Sequence, residues 1–332
     1  FCASVSALLS LCLWPAHSYN ALAAKKVVIT GATLMALISV LLSCLPNIWS
    51  YAIALAFFGA VMGATDVSMN TNAVIVEKLA GRKLLSGMHA FWSIGCFASA
   101  GLFSVLASSG SNVTLIATLH CAIVLALLAV FGRHLLDYKS PGSEKAFAIP
   151  RGIVIVLGIL ACISFLVEGA VMDWSGVLLT EVKNMDIALA GTGYAIFSVA
   201  MLIMRLLGDK TVQFLGEQKA VIGGSIVTAA GFALVVVLDN LYLNAFAFIL
   251  IGLGCANIVP VFYSLLKYQK GMPISAAVTS VTSLGYTGVI LAPAILGFVA
   301  HGINISAVFE LVALLLVIEA GIAKYVFCKL KM

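Results

Sequence analysis

The sequence has little charge: Asp, Glu, Lys and Arg make up only 9% of its 332 residues. Soluble domains carry about 25% charged residues, so a soluble protein with 63% hydrophobic residues would expose large apolar patches and aggregate. Motifs of catalysis and metal binding are also absent. None of the eight cysteines forms a C-x-x-C pair, and there is no H-E-x-x-H, G-x-S-x-G or P-loop sequence. We therefore expect no enzyme, no metal site and no cofactor, and we interpret the cysteines as packing residues.

The apolar residues that dominate the chain are gathered in long blocks. A helix needs about 20 mostly apolar residues to span a bilayer. The blocks lack the period-two alternation of a membrane β-barrel, so we predict an all-α membrane protein. The eleven predicted spans are Phe1–Ala16, Val27–Leu45, Ile48–Val76, Met88–Ala107, Val113–Gly132, Gly152–Val171, Ile187–Leu207, Ala220–Leu238, Leu241–Leu266, Ile274–Ala300 and Ile305–Val326.

The basic residues lie almost entirely on one side of these spans. When the connections are assigned alternately to the outside and the inside, only Lys183 of the 18 basic residues falls on the first side. The positive-inside rule assigns the second side, and with it the C-terminus, to the cytoplasm. Because topology accounts for the net charge of +5, we expect the lipid bilayer and no nucleic acid as a partner.

The chain begins with Phe1, and its first apolar block is short and would run from outside to inside. A missing first helix explains these observations and would restore twelve spans with both termini in the cytoplasm. The longest cytoplasmic connection contains Pro141-Gly142-Ser143 and Pro150. It divides the chain into an N-terminal bundle at 1–132 (helices 2–6), a linker at 133–151 and a C-terminal bundle at 152–332 (helices 7–12).

The two bundles repeat each other at a nearly constant offset. An even number of spans separates the repeats, so they have the same orientation, and parallel repeats of this kind are related by an axis along the membrane normal. The matches at an offset of 193 are Lys26 with Lys219, Ile29 with Ile222, Gly31 with Gly224, Asn47 with Asn240 and Gly59 with Gly252; those at 190 are Gly81 with Gly271, Ser93 with Ser283 and Gly95 with Gly285.

Several motifs resemble one bacterial branch of the major facilitator superfamily, the YbjJ-like group, which is similar to the fucose-permease side. They are Asp66-Val-Ser-Met-Asn70, His89-Ala-Phe-Trp-Ser-Ile-Gly95, Glu168-Gly-Ala-Val-Met-Asp173, Arg205-Leu-Leu-Gly208-Asp209-Lys210 and Gly254-Cys-Ala-Asn257-Ile-Val-Pro260. The resemblance implies the major facilitator fold, with two pseudo-symmetric six-helix bundles. It also implies a bacterial inner membrane, a substrate between the halves, and a cavity lined by the first, fourth, seventh and tenth helices.

Polar residues inside apolar spans are the candidate site residues, because a charge at the bilayer centre costs about 2.5–3.5 kcal/mol on insertion scales. Asp66 and Asn257 lie at similar depths on spans that the repeat pairs, and Asn70 shares the helical face of Asp66 at i+4. The functional interpretation is that Asp66 binds a proton or substrate and that Asn257 hydrogen-bonds the substrate. The alternative is that Asp66 is a buried structural acid.

Glu168 and His89 are further candidates for the proton pathway. Glu168 lies toward the outer half of its span, and His89 opens the fourth block near the cytoplasmic surface. An outer-gate hydrogen bond for Glu168 and interfacial anchoring for His89 are the alternatives. Glu310 and Glu319 lie on the last span, which the resemblance makes peripheral, so we interpret both as structural.

Arg205, Asp209 and Lys210 are predicted to form a cytoplasmic charge cluster that locks one conformation; a role in topology alone is the alternative. The corresponding first-half loop, from Trp14 to Lys26, lacks the acid and the glycines of the family pattern. Altogether we expect a monomeric, alternating-access transporter of a small solute that is coupled to protons. The alternatives are a channel, or a transporter-like sensor or receptor that moves no solute.

Overall fold

The computed structural model describes residues 24–137 and 150–330. The first predicted span, Phe1–Ala16, and most of the predicted linker at 133–151 lie outside the described residues. Within the described ranges the chain forms α-helices and short 3-10 and π-helical turns, and no strand. The helices are α1 Ala24–Leu42, α2 Ile48–Ala80, α3 Leu85–Ser108, α4 Val113–Phe131, α5 Ile153–Val177, α6 Thr192–Leu215, α7 Glu217–Val237, α8 Leu241–Cys255, α9 Ile258–Leu265, α10 Ile274–Gly302 and α11 Ile305–Leu330.

These helices confirm the prediction of an all-α membrane protein. In the described ranges, nine helical segments are long and apolar enough to cross a membrane. The predicted span at Ile187–Leu207 is displaced. Ile187–Leu189 forms a 3-10 turn, and α6 continues past Arg205 and Asp209. Both charged side chains can be accommodated there because they contact groups on other helices. The predicted span at Leu241–Leu266 is broken into α8 and α9.

Side chains and turns at the helix ends explain where several helices begin. Asn112 and Asn240 each precede a helix and accept hydrogen bonds from backbone N–H groups of its first turn, at 2.7 Å from Leu115 and 2.9 Å from Tyr242. Between α6 and α7 there is a single residue, Gly216, with φ of 81°. A positive φ favours glycine, so Gly216 can end α6 and begin α7 with no further loop residue.

The described chain packs into two compact units. The first unit contains residues 24–79, 94–137, 150 and 270–279. Within it, Gly31 of α1 leaves room for Thr65 of α2, whose hydroxyl a Cβ would meet. The Asn72 amide nitrogen donates to the Leu136 carbonyl at 2.9 Å, which ties α2 to the segment after α4.

The second unit contains residues 80–93, 151–269 and 280–330. In this unit α7 packs against both α8 and α11. Small residues permit close approach: a Cβ on Gly224 of α7 would lie 2.5 Å from the Gly254 carbonyl oxygen of α8, and one on Gly252 would meet the Phe197 carbonyl of α6. The predicted domain limits, at 1–132 and 152–332, stay a prediction.

Candidate functional site

The break between α8 and α9 leaves a backbone carbonyl without its helical donor. Pro260 has no N–H, so it cannot donate to the carbonyl of Ala256 four residues earlier. A buried acceptor without a partner would cost roughly 1–3 kcal/mol. The Arg205 Nε of α6 donates to this carbonyl at 3.3 Å. The break is therefore stabilised from a neighbouring helix.

Arg205 makes two further contacts, and each reaches a different helix. Its Nη1 donates to Ser93 Oγ of α3 at 3.2 Å, and its Nη2 donates to Glu168 Oε1 of α5 at 3.3 Å. The Arg205 side chain is 8% exposed, whereas the Glu168 side chain is 27% exposed. A buried guanidinium needs such partners, because an unpaired charge away from water is costly. The planar group thus joins α3, α5 and the α8–α9 break in one network.

Asp209, one helical turn after Arg205, caps the beginning of α3. Its two carboxylate oxygens accept from the backbone N–H groups of Ser86, at 3.0 Å, and Gly87, at 2.9 Å. These N–H groups belong to the first turn of α3 and have no partner within the helix. A carboxylate is also favoured at the positive end of the helix dipole. Caps of this kind contribute about 0.5–2 kcal/mol.

Two neighbouring features hold the capped end of α3 against α6 and α7. Lys83, just before α3, forms an ion pair with Glu217, the first residue of α7, and the Glu217 side chain is 4% exposed. Gly208, just before Asp209, leaves no space for a side chain: a Cβ there would meet the Asn257 Oδ1 and would lie 2.6 Å from the Ser86 Cβ.

His89 and Asn257 each bury a polar atom that makes no hydrogen bond within the described residues, namely His89 Nε2 and Asn257 Oδ1. The His89 ring stacks on Tyr263, with centroids 6.0 Å apart, and the Tyr263 hydroxyl lies 2.7 Å from Thr282 Oγ1. Asn257 is 4% exposed and lies in the break itself, against Gly208, and not in the middle of a span.

Asp66 and Asn70 belong to the first unit, on α2. Asp66 is half-buried and Asn70 is buried. The Asn70 Nδ2 donates to the Asp66 backbone carbonyl at 3.0 Å, as residues four apart on a helix can. The substrate or proton roles of both residues stay proposals.

The structure therefore brings some of the predicted residues together and separates others. Glu168 and Arg205 form an ion pair. Asp209 contacts the first turn of α3 and Lys210 is exposed, and the charge cluster of these two residues with Arg205 stays a prediction. His89 lies on α3 a turn before Ser93, the residue that contacts Arg205.

Sequence reasoning missed the partners that are not charged side chains. The Ala256 carbonyl, the Ser93 hydroxyl and the amides of Ser86 and Gly87 carry no signal in composition. One signal was available: a proline in an apolar span predicts a carbonyl without a donor four residues earlier. A lone arginine on a neighbouring span is a candidate donor for it.

The fold and site define a polytopic α-helical membrane protein with a charged network between its helices. In the part of the chain that the structure describes, no group of three or more His, Cys, Asp or Glu side chains could hold a metal ion. The Major Facilitator Superfamily family model matches residues 2–269, and the chain belongs to this superfamily. The resemblance noted in the sequence is confirmed at the level of the superfamily. The protein is a secondary transporter by family, not an enzyme.

Individual comparisons agree with this assignment. An uncharacterised MFS-type transporter of Yersinia pestis is 40% identical over 276 residues, which are 83% of this chain and 72% of that protein. The solved structure of the human organic anion transporter MFSD10 has a TM-score of 0.78 at 14% identity and covers 97% of this chain and 82% of its own. The E. coli fucose:proton symporter FucP has a TM-score of 0.72 at 15% identity, with coverage of 97% and 87%. At these identities the two structures show the fold alone.

Proposed function

We propose that this transporter moves a small solute by alternating access in exchange for, or together with, protons, and that Glu168 is a proton acceptor whose state is sensed by Arg205. The ion pair between the two side chains carries the proposal. Glu168 is the more exposed member, so a proton can reach it, while Arg205 is held inside the unit by three helices.

Protonation of Glu168 would change the balance of forces on Arg205. The neutral acid no longer attracts the guanidinium, so the contact at 3.3 Å weakens from an ion pair to a hydrogen bond. Arg205 also supplies the donor to the Ala256 carbonyl at the α8–α9 break. A shift of Arg205 would therefore leave that carbonyl unsatisfied and favour movement at the break. This is how a proton on α5 would alter the shape of α8 and α9.

The contacts around the start of α3 are proposed to act as a gate. Asp209 caps α3, and the Lys83–Glu217 pair links the chain two residues before α3 to the start of α7. Separation of α3 from α6 and α7 would break all of these contacts at once. Lys210, which is exposed next to Asp209, is proposed to contribute positive charge to this gate.

Asp66, Asn70, Asn257 and His89 are proposed to lie on the substrate or proton pathway. Asp66 would be a second proton acceptor, on α2, and Asn257 and His89 would offer their unpaired buried atoms to a ligand. Two proteins of similar structure have names that give a substrate: one is a fucose:proton symporter and the other an organic anion transporter. Both sugars and organic anions therefore belong in the substrate screen.

The test is proton movement in liposomes that contain the full-length protein, with pools of sugars, organic acids and cationic drugs added. We expect one pool to drive proton movement in the wild type and Glu168→Gln to reduce it by about tenfold or more, a factor that corresponds to about 1.4 kcal/mol of lost coupling. Asp66→Asn is expected to reduce it as well. Glu310→Gln, which changes an exposed acid on α11, is the matched control and should have no effect.

Each other outcome has a definite meaning. Solute uptake without proton movement in the wild type would show that the proton coupling is wrong. Equal proton movement in Glu168→Gln and the wild type would remove Glu168 from the pathway. If no solute pool drives proton movement or is taken up, in the wild type or any variant, a transporter-like sensor becomes the better hypothesis.

We also propose that the protein is a monomer in a bacterial inner membrane with its C-terminus in the cytoplasm. Cys44, just after α1, and Cys328, in the last turn of α11, are both exposed and lie on opposite sides in the predicted topology. In single-cysteine variants of intact cells, a membrane-impermeant maleimide should label Cys44 and not Cys328. Both should react once the membrane is opened, and labelling of Cys328 in sealed cells would invert the topology.

A further inference from the structure

Glu319 is a fully buried acid in the middle of α11 that the proposed mechanism does not use. Its exposed fraction is 0%. Each of its carboxyl oxygens contacts a serine on a different helix: Oε1 accepts from Ser164 Oγ of α5 at 2.6 Å, and Oε2 accepts from Ser225 Oγ of α7 at 3.1 Å. All three residues lie in the second unit. The acid therefore links three helices through its two oxygens.

The surroundings of Glu319 provide no compensating positive charge among the described residues. No lysine, arginine or histidine lies within ion-pair distance of it there. Lys219 on α7 is exposed and lies six residues before Ser225, and Lys324 and Lys329 on α11 are exposed. The other titratable side chains on α5 and its following turn, on α7, on α11 and on the adjoining α8 are thiols, phenols and acids. They are Cys162, Glu168, Asp173, Glu181, Glu217, Tyr242, Cys255, Glu310, Tyr325 and Cys328.

An ionised carboxylate in this place would be a buried charge with only two hydroxyl donors. Burying such a charge costs free energy that two hydrogen bonds do not offset. A neutral carboxylic acid avoids the cost and keeps both contacts, because a serine hydroxyl can donate one hydrogen bond and accept another. The geometry thus suits the protonated acid better than the anion.

We propose that Glu319, Ser164 and Ser225 form a buried proton-binding site, in which Glu319 is held as the neutral acid. The ligand is a proton, which one carboxyl oxygen binds as an O–H that donates to a serine hydroxyl. Uptake or release of this proton changes how α5, α7 and α11 are held together, because the three helices share the acid.

The site also has a connection to the Arg205–Glu168 pair, and this part of the inference depends on the proposed function. Ser164 and Glu168 are four residues apart on α5 and lie on one face of the helix. A serine that binds the Glu319 carboxyl group therefore lies one helical turn along α5 from Glu168, so a proton on one acid can influence the other through this helix.

Infrared spectroscopy of the purified full-length protein in lipid nanodiscs tests the site, with no solute present. At neutral pH we expect the wild type to show the carbonyl-stretch band of a protonated carboxylic acid and Glu319→Gln to lack one component of it. Glu310→Gln is the matched control from the exposed face of the same helix and should keep that component. Ser225→Ala should shift the position of the component, because it removes one hydrogen bond from the acid.

Thermal unfolding of the same variants provides a second measurement. Glu319→Gln should unfold within about 2 °C of the wild type, because glutamine keeps a donor and an acceptor without charge, whereas Glu319→Ala should unfold about 5 °C lower or more. An unchanged acid band in Glu319→Gln, or no shift in Ser225→Ala, would overturn the proposal. Because no solute is present, the result does not depend on whether proton-coupled transport is found.

Discussion

Replacing Arg205 by methionine should abolish solute-driven proton movement and lower the stability of the protein by on the order of 3 kcal/mol. Methionine fills part of the space of the arginine stem, so the loss is chiefly that of the charged group. The substitution leaves Glu168 without its cation and the Ala256 carbonyl without its donor. Lys210→Met, which removes an exposed cation from the same helix, is the matched control and should change stability by less than about 0.5 kcal/mol.

A double-mutant cycle separates the ion pair from the other contacts of Arg205. In the double variant Arg205→Met with Glu168→Gln, a neutral glutamine replaces the carboxylate that Arg205→Met alone leaves unpaired. The double variant should therefore be more stable than the sum of the two single effects predicts, by roughly 0.5–3 kcal/mol. Denaturant or thermal unfolding in detergent measures this difference. Strictly additive effects would mean that the two side chains are not coupled, and the proposed role of Arg205 as a sensor of Glu168 would be lost.

Gly208→Ala should destabilise the protein by about 1–3 kcal/mol, although alanine is the better helix former. The added Cβ would meet Asn257 Oδ1 and lie 2.6 Å from the Ser86 Cβ, so α6 would be pushed away from α3 and from the α8–α9 break. Gly223→Ala on α7 is the matched control, because a Cβ there has open space around it. It should be neutral or stabilising by up to about 1 kcal/mol.

The Gly208 result has a second, functional readout. Displacement of α6 lengthens the contacts of Asp209 with the Ser86 and Gly87 amides, which we propose as part of the gate. Gly208→Ala should therefore also change the rate of solute-driven proton movement, while Gly223→Ala should not. If the two alanine variants are equally stable, Gly208 does not lie as close to Ser86 and Asn257 in the membrane as in this structure, and the prediction is wrong.

The helical spans were predictable from the sequence because the bilayer requires long apolar segments whatever the tertiary fold. The two departures have local causes. The span predicted to end at Leu207 extends to Leu215, since the Asp209 carboxylate accepts hydrogen bonds from the amides at the start of α3, a contact that no single-helix pattern contains. The single span predicted at Leu241–Leu266 is broken where Pro260 withholds a donor.

The candidate site could be predicted as a set of residues but not as a set of contacts. The rarity of charge in apolar spans indicated Glu168 as a proton site, whereas Arg205 was predicted as part of a cytoplasmic charge cluster with Asp209 and Lys210. Their pairing depends on the packing of α5 against α6, which composition does not specify. Glu319 shows the same limit. It was interpreted as structural because the family resemblance makes its span peripheral, and its serine partners lie on two other helices, 155 and 94 residues away in the chain.

The single-residue connection at Gly216 has a consequence for biosynthesis. Helix α6 carries Arg205, Asp209 and Lys210, and charged side chains oppose the partition of an isolated segment from the translocon into lipid, by up to about 2.5–3.5 kcal/mol each at the bilayer centre. With one residue between them, we expect α6 and the apolar α7 to enter the bilayer together. The hydrophobicity of α7 would then favour insertion of its charged neighbour, and Arg205 and Asp209 would meet their partners on α3 and α5 only when the helices assemble.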